Sequence, residues 1–145
     1  MNTKPQVNVR VTHRFNVSPE RVFDAWLNPN MIGRWMFREE EVVRISLDPR
    51  LGGSFSFVVR RQGQEVDHVG EYFEIDRPRR LVFSWGIGQR PLPESSRVTI
   101  RVVPLETGSE VTLTHELHPD WADYASRTEA GWTRILNALA ATLDD

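Results

Sequence analysis

The sequence contains no cysteine, and Lys4 is its only lysine. The absence of cysteine excludes disulfides, thiolate nucleophiles and cysteine-ligated metals. No apolar run approaches the length of a membrane span, and residues 1–6 lack the apolar segment of a signal peptide. We therefore expect a cytoplasmic protein with no membrane partner.

An excess of charge of one sign is also lacking, because the formal net charge at pH 7 is −2. Such a balance produces no global field that attracts nucleic acid, so we expect no nucleic-acid partner. The basic cluster of Arg77, Arg79 and Arg80 is interpreted as the solvated tip of a hairpin. With 145 residues, of which 39% are hydrophobic, the chain suits a single domain spanning 1–145.

Alternation of apolar and polar residues predicts a series of strands. The first covers residues 7–17, and Ser18 and Asn28, each followed by proline, mark the starts of two short helices. Six more strands follow, and the glycines and prolines of 86–94 predict a loop between two of them. In the strand 66–75 two sets of residues could face inward, and a bulge near Gly70 could let both do so, so its register stays open. The sets are Val66, His68, Gly70 and Tyr72, or Val69, Phe73 and Ile75.

The last stretch carries the longest periodic pattern. From Trp121 to Leu143 apolar residues recur at steps of three or four, which predicts one long helix with a continuous apolar stripe. Because everything before it consists of short elements, we expect this helix to cover the apolar face of an antiparallel sheet in an α+β fold. The stripe consists of Trp121, Tyr124, Ala125, Thr128, Trp132, Ile135, Leu136, Leu139 and Leu143.

Several stretches match a known family in order along nearly the whole chain. They are SPERVFDAW at 18–26, residues 29–35, residues 48–57, GEYFEI at 70–75, LVFSW at 81–85, VTLTHE at 111–116, and Gly131-Trp132 with Leu136 and Leu139. In these stretches the sequence resembles the activator of heat-shock-protein-ninety ATPase homologues. That family belongs to the SRPBCC superfamily, with START domains, polyketide cyclases and the birch-pollen allergen.

The resemblance implies a helix-grip fold. In it, a seven-stranded antiparallel sheet wraps a long C-terminal helix, two short helices follow the first strand, and an internal cavity lies between sheet and helix. The family includes a domain of a eukaryotic co-chaperone, in which a separate N-terminal region contributes to chaperone binding. Because the sequence shows no such region, we expect no chaperone partner.

His115 is the residue most suited to chemistry. It ends an inward-facing row of a predicted strand, and in an aromatic cavity it could hydrogen-bond a ligand or act as a general base. The alternative is a core histidine satisfied by a neighbouring side chain. A metal site with His118 and Asp120 is disfavoured, because Pro119 separates their directions. We therefore predict no metal and no cofactor.

The leading hypothesis is a non-catalytic or weakly catalytic domain that binds a small apolar or aromatic molecule between the sheet and the C-terminal helix. Apolar walls with a few polar groups are typical of small-molecule pockets. The predicted ligand-binding residues are Trp35, Phe55, Phe57, Trp85, His115, Trp132 and Leu136.

Two other hypotheses are kept. A cavity enzyme of the cyclase, dehydratase or hydrolase type would use His115 as acid or base, although the sequence shows no nucleophile beside a base. Burial of His115 with full pairing to protein groups would count against it. A co-chaperone-like interaction domain requires an exposed apolar patch on the outer sheet face, which the outward Arg, Ser and Thr residues do not suggest. A homodimer is left open.

Overall fold

The computed structural model describes residues 7–88 and 96–144. Its strands are β1 (Val7–Phe15), β2 (Glu41–Leu47), β3 (Ser54–Arg61), β4 (Gln64–Asp76), β5 (Arg80–Ser84), β6 (Gly86–Ile87), β7 (Arg97–Pro104) and β8 (Ser109–Leu117). Its helices are α1 (Pro19–Ala25), α2 (Pro29–Trp35), a 3-10 helix (Pro119–Tyr124) and α3 (Ala125–Asp144).

All the strands belong to one antiparallel sheet. The main path runs β1-β8-β7-β5-β4-β3-β2, and the short β6 pairs with β4 outside that path. The predicted α+β architecture is confirmed, with two short helices after β1 and a long helix at the C-terminus. The predicted loop over 86–94 begins with the two residues of β6 and then Gly88, and its residues 89–94 lie outside the described part of the chain.

The register of β4, which the sequence left open, changes at a β-bulge. Before the bulge the even-numbered residues face inward, and His68 and Tyr72 are buried. Pairing with β5 shifts between Tyr72 and Glu74, so Phe73 is the extra residue. Ile75 then packs against the core. The bulge reverses the inward parity of the strand, which is why a single alternation did not describe it.

Side-chain caps start the two short helices where the sequence predicts them. The Ser18 hydroxyl accepts a hydrogen bond from the backbone N–H of Arg21 at 3.3 Å, and the Asn28 side-chain oxygen accepts one from that of Asn30 at 2.9 Å. Each cap satisfies a backbone donor that the first helical turn leaves unpaired. The second helix ends at Trp35, which is buried, and packs beside α3.

The C-terminal helix begins as a 3-10 helix and becomes an α-helix at Ala125. Trp121 and Tyr124 lie in the 3-10 segment and are 38% and 47% exposed, so they do not join the buried stripe. A 3-10 turn holds fewer residues than an α turn and therefore changes the phase of the side chains. No helix in the described ranges is long and apolar enough to cross a membrane.

The inward face of α3 closes the core. It is formed by Trp132, Leu136, Leu139 and Leu143, which join one cluster with the inward residues of the sheet. From β7 and β8 these include Val98, Ile100, Val111 and Leu113, all 0% exposed. Burial of each such side chain stabilises the fold by about 2 kcal/mol. The stripe predicted from the sequence is thus a packing surface along most of its length.

The arginines of the basic hairpin tip are exposed, as predicted, and neighbouring acids neutralise them. Each of the arginines makes an ion pair at an exposed position, where such pairs contribute little to stability. The pairs are Arg77 with Asp24 at 2.7 Å, Arg79 with Asp76 at 3.1 Å and Arg80 with Glu74 at 2.8 Å.

Candidate functional site

A small void lies between the sheet and the ends of the two short helices. It measures about 10 Å³, which is room for about one water molecule. Large side chains of the sheet and of the residues that end α1 and α2 close it: Trp26, Met36, Phe55, Phe57, Tyr72, Leu81, Phe83 and Trp85.

A much larger cavity, which we call the cleft, lies beside this void. Its volume is about 450 Å³, within the range typical of small-molecule pockets. It is bounded by the end of α2 and the connection to β2, by β3 and β4, and by one face of α3. The lining residues are Trp35, Met36, Phe37, Arg38, Glu39, Glu40, Arg61, His68, Trp85, Gly131, Arg134, Ile135 and Ala138.

Helix α3 contributes to the cleft through a second face, next to its buried stripe. Gly131, Arg134, Ile135 and Ala138 recur at steps of three and four, so they form a row along the helix. Gly131 keeps this row low, because a Cβ placed there would meet nothing nearer than a guanidinium nitrogen of Arg134 at 4.0 Å. A Cβ at position 131 would fit in this open space, whereas a side chain much larger than a methyl group would extend into the cleft.

His68 reaches the cleft from β4 and is 6% exposed. Its Nδ1 lies 3.2 Å from the backbone oxygen of Phe57, its cross-strand neighbour on β3. Because a carbonyl only accepts hydrogen bonds, Nδ1 carries the proton and Nε2 keeps its lone pair in the neutral ring. Nε2 has no protein partner among residues 7–88 and 96–144, so it is available to a ligand in the cleft.

Burial also decides the charge of His68. It lowers the pKa of the imidazole, and the positive charge of Arg61 acts in the same direction. The Phe57 carbonyl, Glu40 and Asp67 oppose this shift, but the net result is a pKa below the ordinary value of 6.5. At neutral pH the cleft therefore presents an uncharged imidazole whose free nitrogen accepts hydrogen bonds.

His115, the histidine singled out by the sequence, has a different environment. It is 4% exposed and lines neither the cleft nor the internal void. The indole N–H of Trp132 donates to its Nδ1 at 3.1 Å. Its Nε2–H lies 3.2 Å from the hydroxyl of Ser96, which in turn donates to the backbone oxygen of Trp85 at 2.6 Å. Every donor and acceptor in this chain of hydrogen bonds has a partner.

Burial lowers the pKa of His115 to about 4, so the ring is neutral at physiological pH. The hydrogen bond from Trp132 requires the same state, because a protonated Nδ1 cannot accept. A neutral histidine with both nitrogens engaged by protein groups is poorly suited to exchange protons with a substrate. This arrangement counts against the cavity enzyme that would use His115 as acid or base.

The structure distributes the predicted ligand-binding residues over three places. Trp35 and Trp85 line the cleft. Phe55 and Phe57, again with Trp85, line the small internal void. His115, Trp132 and Leu136 are buried in the core and line neither space. Trp85 connects the groups, since its ring lies 5.9 Å from that of Phe55 and 5.4 Å from that of Trp132.

Sequence reasoning missed His68 and Gly131. His68 lies in the strand whose register was left open, on one of the two sets of residues that could face inward. Its even parity with Val66 and Tyr72 was the available signal, but the bulge after Tyr72 obscured it. Gly131 was noted only as part of a stretch that matches the family, because a space left by a missing side chain is a tertiary property that the sequence does not show.

Two buried indole nitrogens lack acceptors. Nε1 of Trp26 and Nε1 of Trp35 are enclosed and have no hydrogen-bond partner among the described residues. An unpaired buried donor costs about 1–3 kcal/mol, and because both nitrogens are enclosed they are not exposed to the cleft. Trp35 lines the cleft, whereas Trp26 lines only the internal void.

Charges of both signs surround the mouth of the cleft. Arg61 donates to both carboxylate oxygens of Glu40 at 2.7–3.0 Å, which closes one side of the mouth with a bidentate pair. Arg38, Glu39 and Arg134 line the mouth with exposed side chains. The rim is polar and close to balanced in charge, while the floor is apolar.

The alternative metal site is not assembled. His118 approaches Asp120, with Nδ1 at 3.4 Å from a carboxylate oxygen, but His115 points away into the core toward Trp132. Within residues 7–88 and 96–144 no three His, Asp or Glu side chains gather in a way that could hold a metal ion.

Comparison with protein families gives a match over residues 16–144, to the family described as Activator of Hsp90 ATPase homolog 1-like protein. The chain belongs to this family. The match covers almost all of the described fold, from the end of β1 to the end of α3. No curated protein matches the sequence.

Solved structures share the fold at low sequence identity. Protein CV1439 from Chromobacterium violaceum is 24% identical, with a TM-score of 0.77 over 95% of this chain and 97% of that one. Protein NE0264 from Nitrosomonas europaea is 18% identical, with a TM-score of 0.80 over 94% of each chain. ChR145 from Cytophaga hutchinsonii is 23% identical, with a TM-score of 0.79 over 98% and 97%. At these identities the likeness establishes the fold alone.

Proposed function

We propose that this family member binds a small molecule with an apolar or aromatic body, and that the ligand lies in the cleft. The observation that carries the proposal is a cavity of about 450 Å³ with an apolar floor and one buried, half-paired histidine. A few polar groups set in an apolar cavity are the usual composition of a ligand site. By contrast, the void of about 10 Å³ behind it has no room for such a ligand.

The predicted aromatic residues support this proposal in two ways, either by lining the cleft or by packing against a residue that lines it. Trp35 and Trp85 supply contact area in the cleft, and Phe55 and Trp132 pack against Trp85 from behind. A wall built this way is rigid, because each ring is held by further buried rings. A rigid apolar wall lowers the entropy lost on binding, which favours a preformed site.

Neither alternative function is proposed. The enzyme hypothesis depended on His115, whose nitrogens are both paired to protein groups. For the co-chaperone hypothesis, the strands do carry exposed apolar side chains such as Val43, Phe73 and Val103, but the guanidinium of Arg97 covers the Phe73 ring at 4.8 Å. The cytoplasmic location belongs to the proposal as a prediction from the sequence, and homodimer formation is left open.

A neutral, environment-sensitive dye tests the proposal. N-phenyl-1-naphthylamine is titrated into the protein, and energy transfer from tryptophan to the bound dye is followed. We expect saturable binding, because Trp35 and Trp85 border the cleft. The variant Gly131→Leu places a side chain in the cleft and is expected to weaken binding by at least about tenfold, since steric exclusion removes the site.

Ala130→Leu is the matched control, because Ala130 is exposed and does not line the cleft. It should bind the dye as the unchanged protein does, and urea unfolding should show that both variants fold. Linear, non-saturating dye uptake by the unchanged protein, or equal affinity in Gly131→Leu and Ala130→Leu, would contradict the proposal.

A further inference from the structure

The free nitrogen of His68 allows the class of ligand to be specified further. With the Nδ1 proton directed at the Phe57 oxygen, Nε2 offers the cleft a lone pair and no proton. The residue is only 6% exposed, and it lines the cleft. A ligand that fills the cleft without donating to Nε2 displaces the water there and gains no hydrogen bond in return.

The walls beside His68 are aromatic on both sides. The ring centroid of Phe37 lies 5.0 Å from that of the imidazole, and the centroid of Trp85 lies 5.3 Å from it. Offset and tilted contacts at such distances are favourable between rings. A planar aromatic body that enters the cleft can continue this series of ring contacts next to the acceptor.

We propose that the ligand is an aromatic alcohol of the phenol class, whose hydroxyl donates to Nε2 of His68 while its ring lies against Trp85. This inference rests on the proposed function, because it specifies the ligand of the same cleft. A phenol supplies one donor on a flat apolar body, which matches one buried acceptor between aromatic walls.

An aromatic carboxylate fits these contacts less well. Its oxygens only accept hydrogen bonds, so they would face the lone pair of Nε2 without a proton between them. Arg61, whose positive charge helps to lower the pKa of His68, already donates hydrogen bonds to both carboxylate oxygens of Glu40. Arg38 and Arg134 are exposed at the rim, where solvent and salt screen their attraction for an anion.

Matched naphthalene derivatives test the inference by calorimetry. 2-Naphthol carries the hydroxyl donor, 2-methoxynaphthalene replaces it with an ether that only accepts, and 2-naphthoate carries the anion. We expect 2-naphthol to bind about fivefold to tenfold more tightly than 2-methoxynaphthalene, the gain typical of one buried neutral hydrogen bond. 2-Naphthoate should bind no more tightly than the ether.

The variant His68→Asn removes the Nε2 acceptor and keeps an N–H donor at the position that faces the Phe57 oxygen. It should bind the ether with unchanged affinity and lose the preference for 2-naphthol. His68→Phe, which keeps a flat ring beside Phe37 and Trp85, serves as a second variant if His68→Asn fails to fold. Unfolding midpoints confirm that the variants used are folded.

The outcomes separate this inference from the proposed function. Equal affinity of 2-naphthol and 2-methoxynaphthalene would overturn the choice of a phenol while leaving the ligand site intact. Tightest binding by 2-naphthoate, or a naphthol preference that persists without the Nε2 acceptor, would also overturn it. If none of the compounds binds, the inference fails together with the proposed site.

Discussion

His115 and His68 are buried histidines on strands of one sheet, and they differ in what their second nitrogen meets. His115 has Trp132 on one nitrogen and Ser96 on the other, and it is 4% exposed. His68 has the Phe57 oxygen on one nitrogen and the cleft on the other. The hydrogen bonds of His115 therefore hold the core together, whereas Nε2 of His68 remains able to accept a hydrogen bond from a ligand.

The comparison shows why burial alone does not identify a functional residue. Both imidazoles have a pKa lowered mainly by burial, so both are neutral at pH 7. What separates them is whether the surrounding protein uses up their donors and acceptors. Nε2 of His68 borders the cleft without a partner in the described residues, so it is available to a ligand, whereas both nitrogens of His115 are already engaged.

The largest effect expected from this comparison is a dependence of stability on pH. Because the folded-state pKa of His115 is about 4 and its ordinary value is 6.5, the unfolded chain binds more protons between these values. The stability is fully present above about pH 6.5 and is lost as the pH falls toward 4. His115 should account for about 2–3 kcal/mol of unfolding free energy lost between pH 7 and pH 4.

Urea unfolding of the protein and of His115→Gln at several pH values measures this contribution. The variant should be less stable at pH 7 but should lose less stability on acidification. The loss that remains includes the smaller share of His68, whose pKa is lowered in the same direction. If acidification destabilises the variant as much as the unchanged protein, His115 does not titrate as a closed core histidine.

A smaller effect on stability is expected when a hydrogen-bonded indole is compared with an indole that has no acceptor. Trp132→Phe leaves the buried Nδ1 of His115 without its donor, whereas Trp35→Phe removes an N–H that has no acceptor in the described residues. Both substitutions delete the same atoms, so the difference isolates the hydrogen bond. We expect Trp132→Phe to lose about 1–2 kcal/mol more unfolding free energy than Trp35→Phe. Equal losses in urea unfolding would show that the Trp132–His115 contact contributes nothing beyond packing.

The smallest expected change in stability comes from a substitution on the cleft side of α3, at Gly131, which precedes Trp132 in the sequence. Gly131→Ala adds a Cβ into open space and removes the backbone freedom of glycine within a helix. It should raise the unfolding free energy by about 0.5–1 kcal/mol. Thermal unfolding measures the gain, and dye binding in the cleft should change little. A loss of stability would mean that position 131 is more crowded than the structure shows.

Most of the fold was predictable because its signals are local. Alternation located the strands, Ser18 and Asn28 with their prolines located the helix starts, and the spacing of Trp132, Leu136 and Leu139 located the face of α3 that packs. The start of the long helix was predicted too early, because an apolar stripe does not distinguish a 3-10 turn from an α turn.

The candidate site was only partly predictable. Trp35 and Trp85 were identified as inward aromatic residues and do line the cleft. His68 was not identified, because the β-bulge after Tyr72 removes the alternation that would have shown its direction. His115 was identified as inward-facing, but the sequence could not show that Ser96 and Trp132 meet it there.

The sequence by itself determined the family, the order of the elements and which face of each element is apolar, since these depend on residues a few positions apart. The tertiary structure alone decided where apolar surface is packed and where it borders open space. That choice depends on how α2, β4 and α3 approach one another, and on whether a residue such as Gly131 leaves the gap between them unfilled. Free volume is a property of several distant segments together, so no local pattern encodes it.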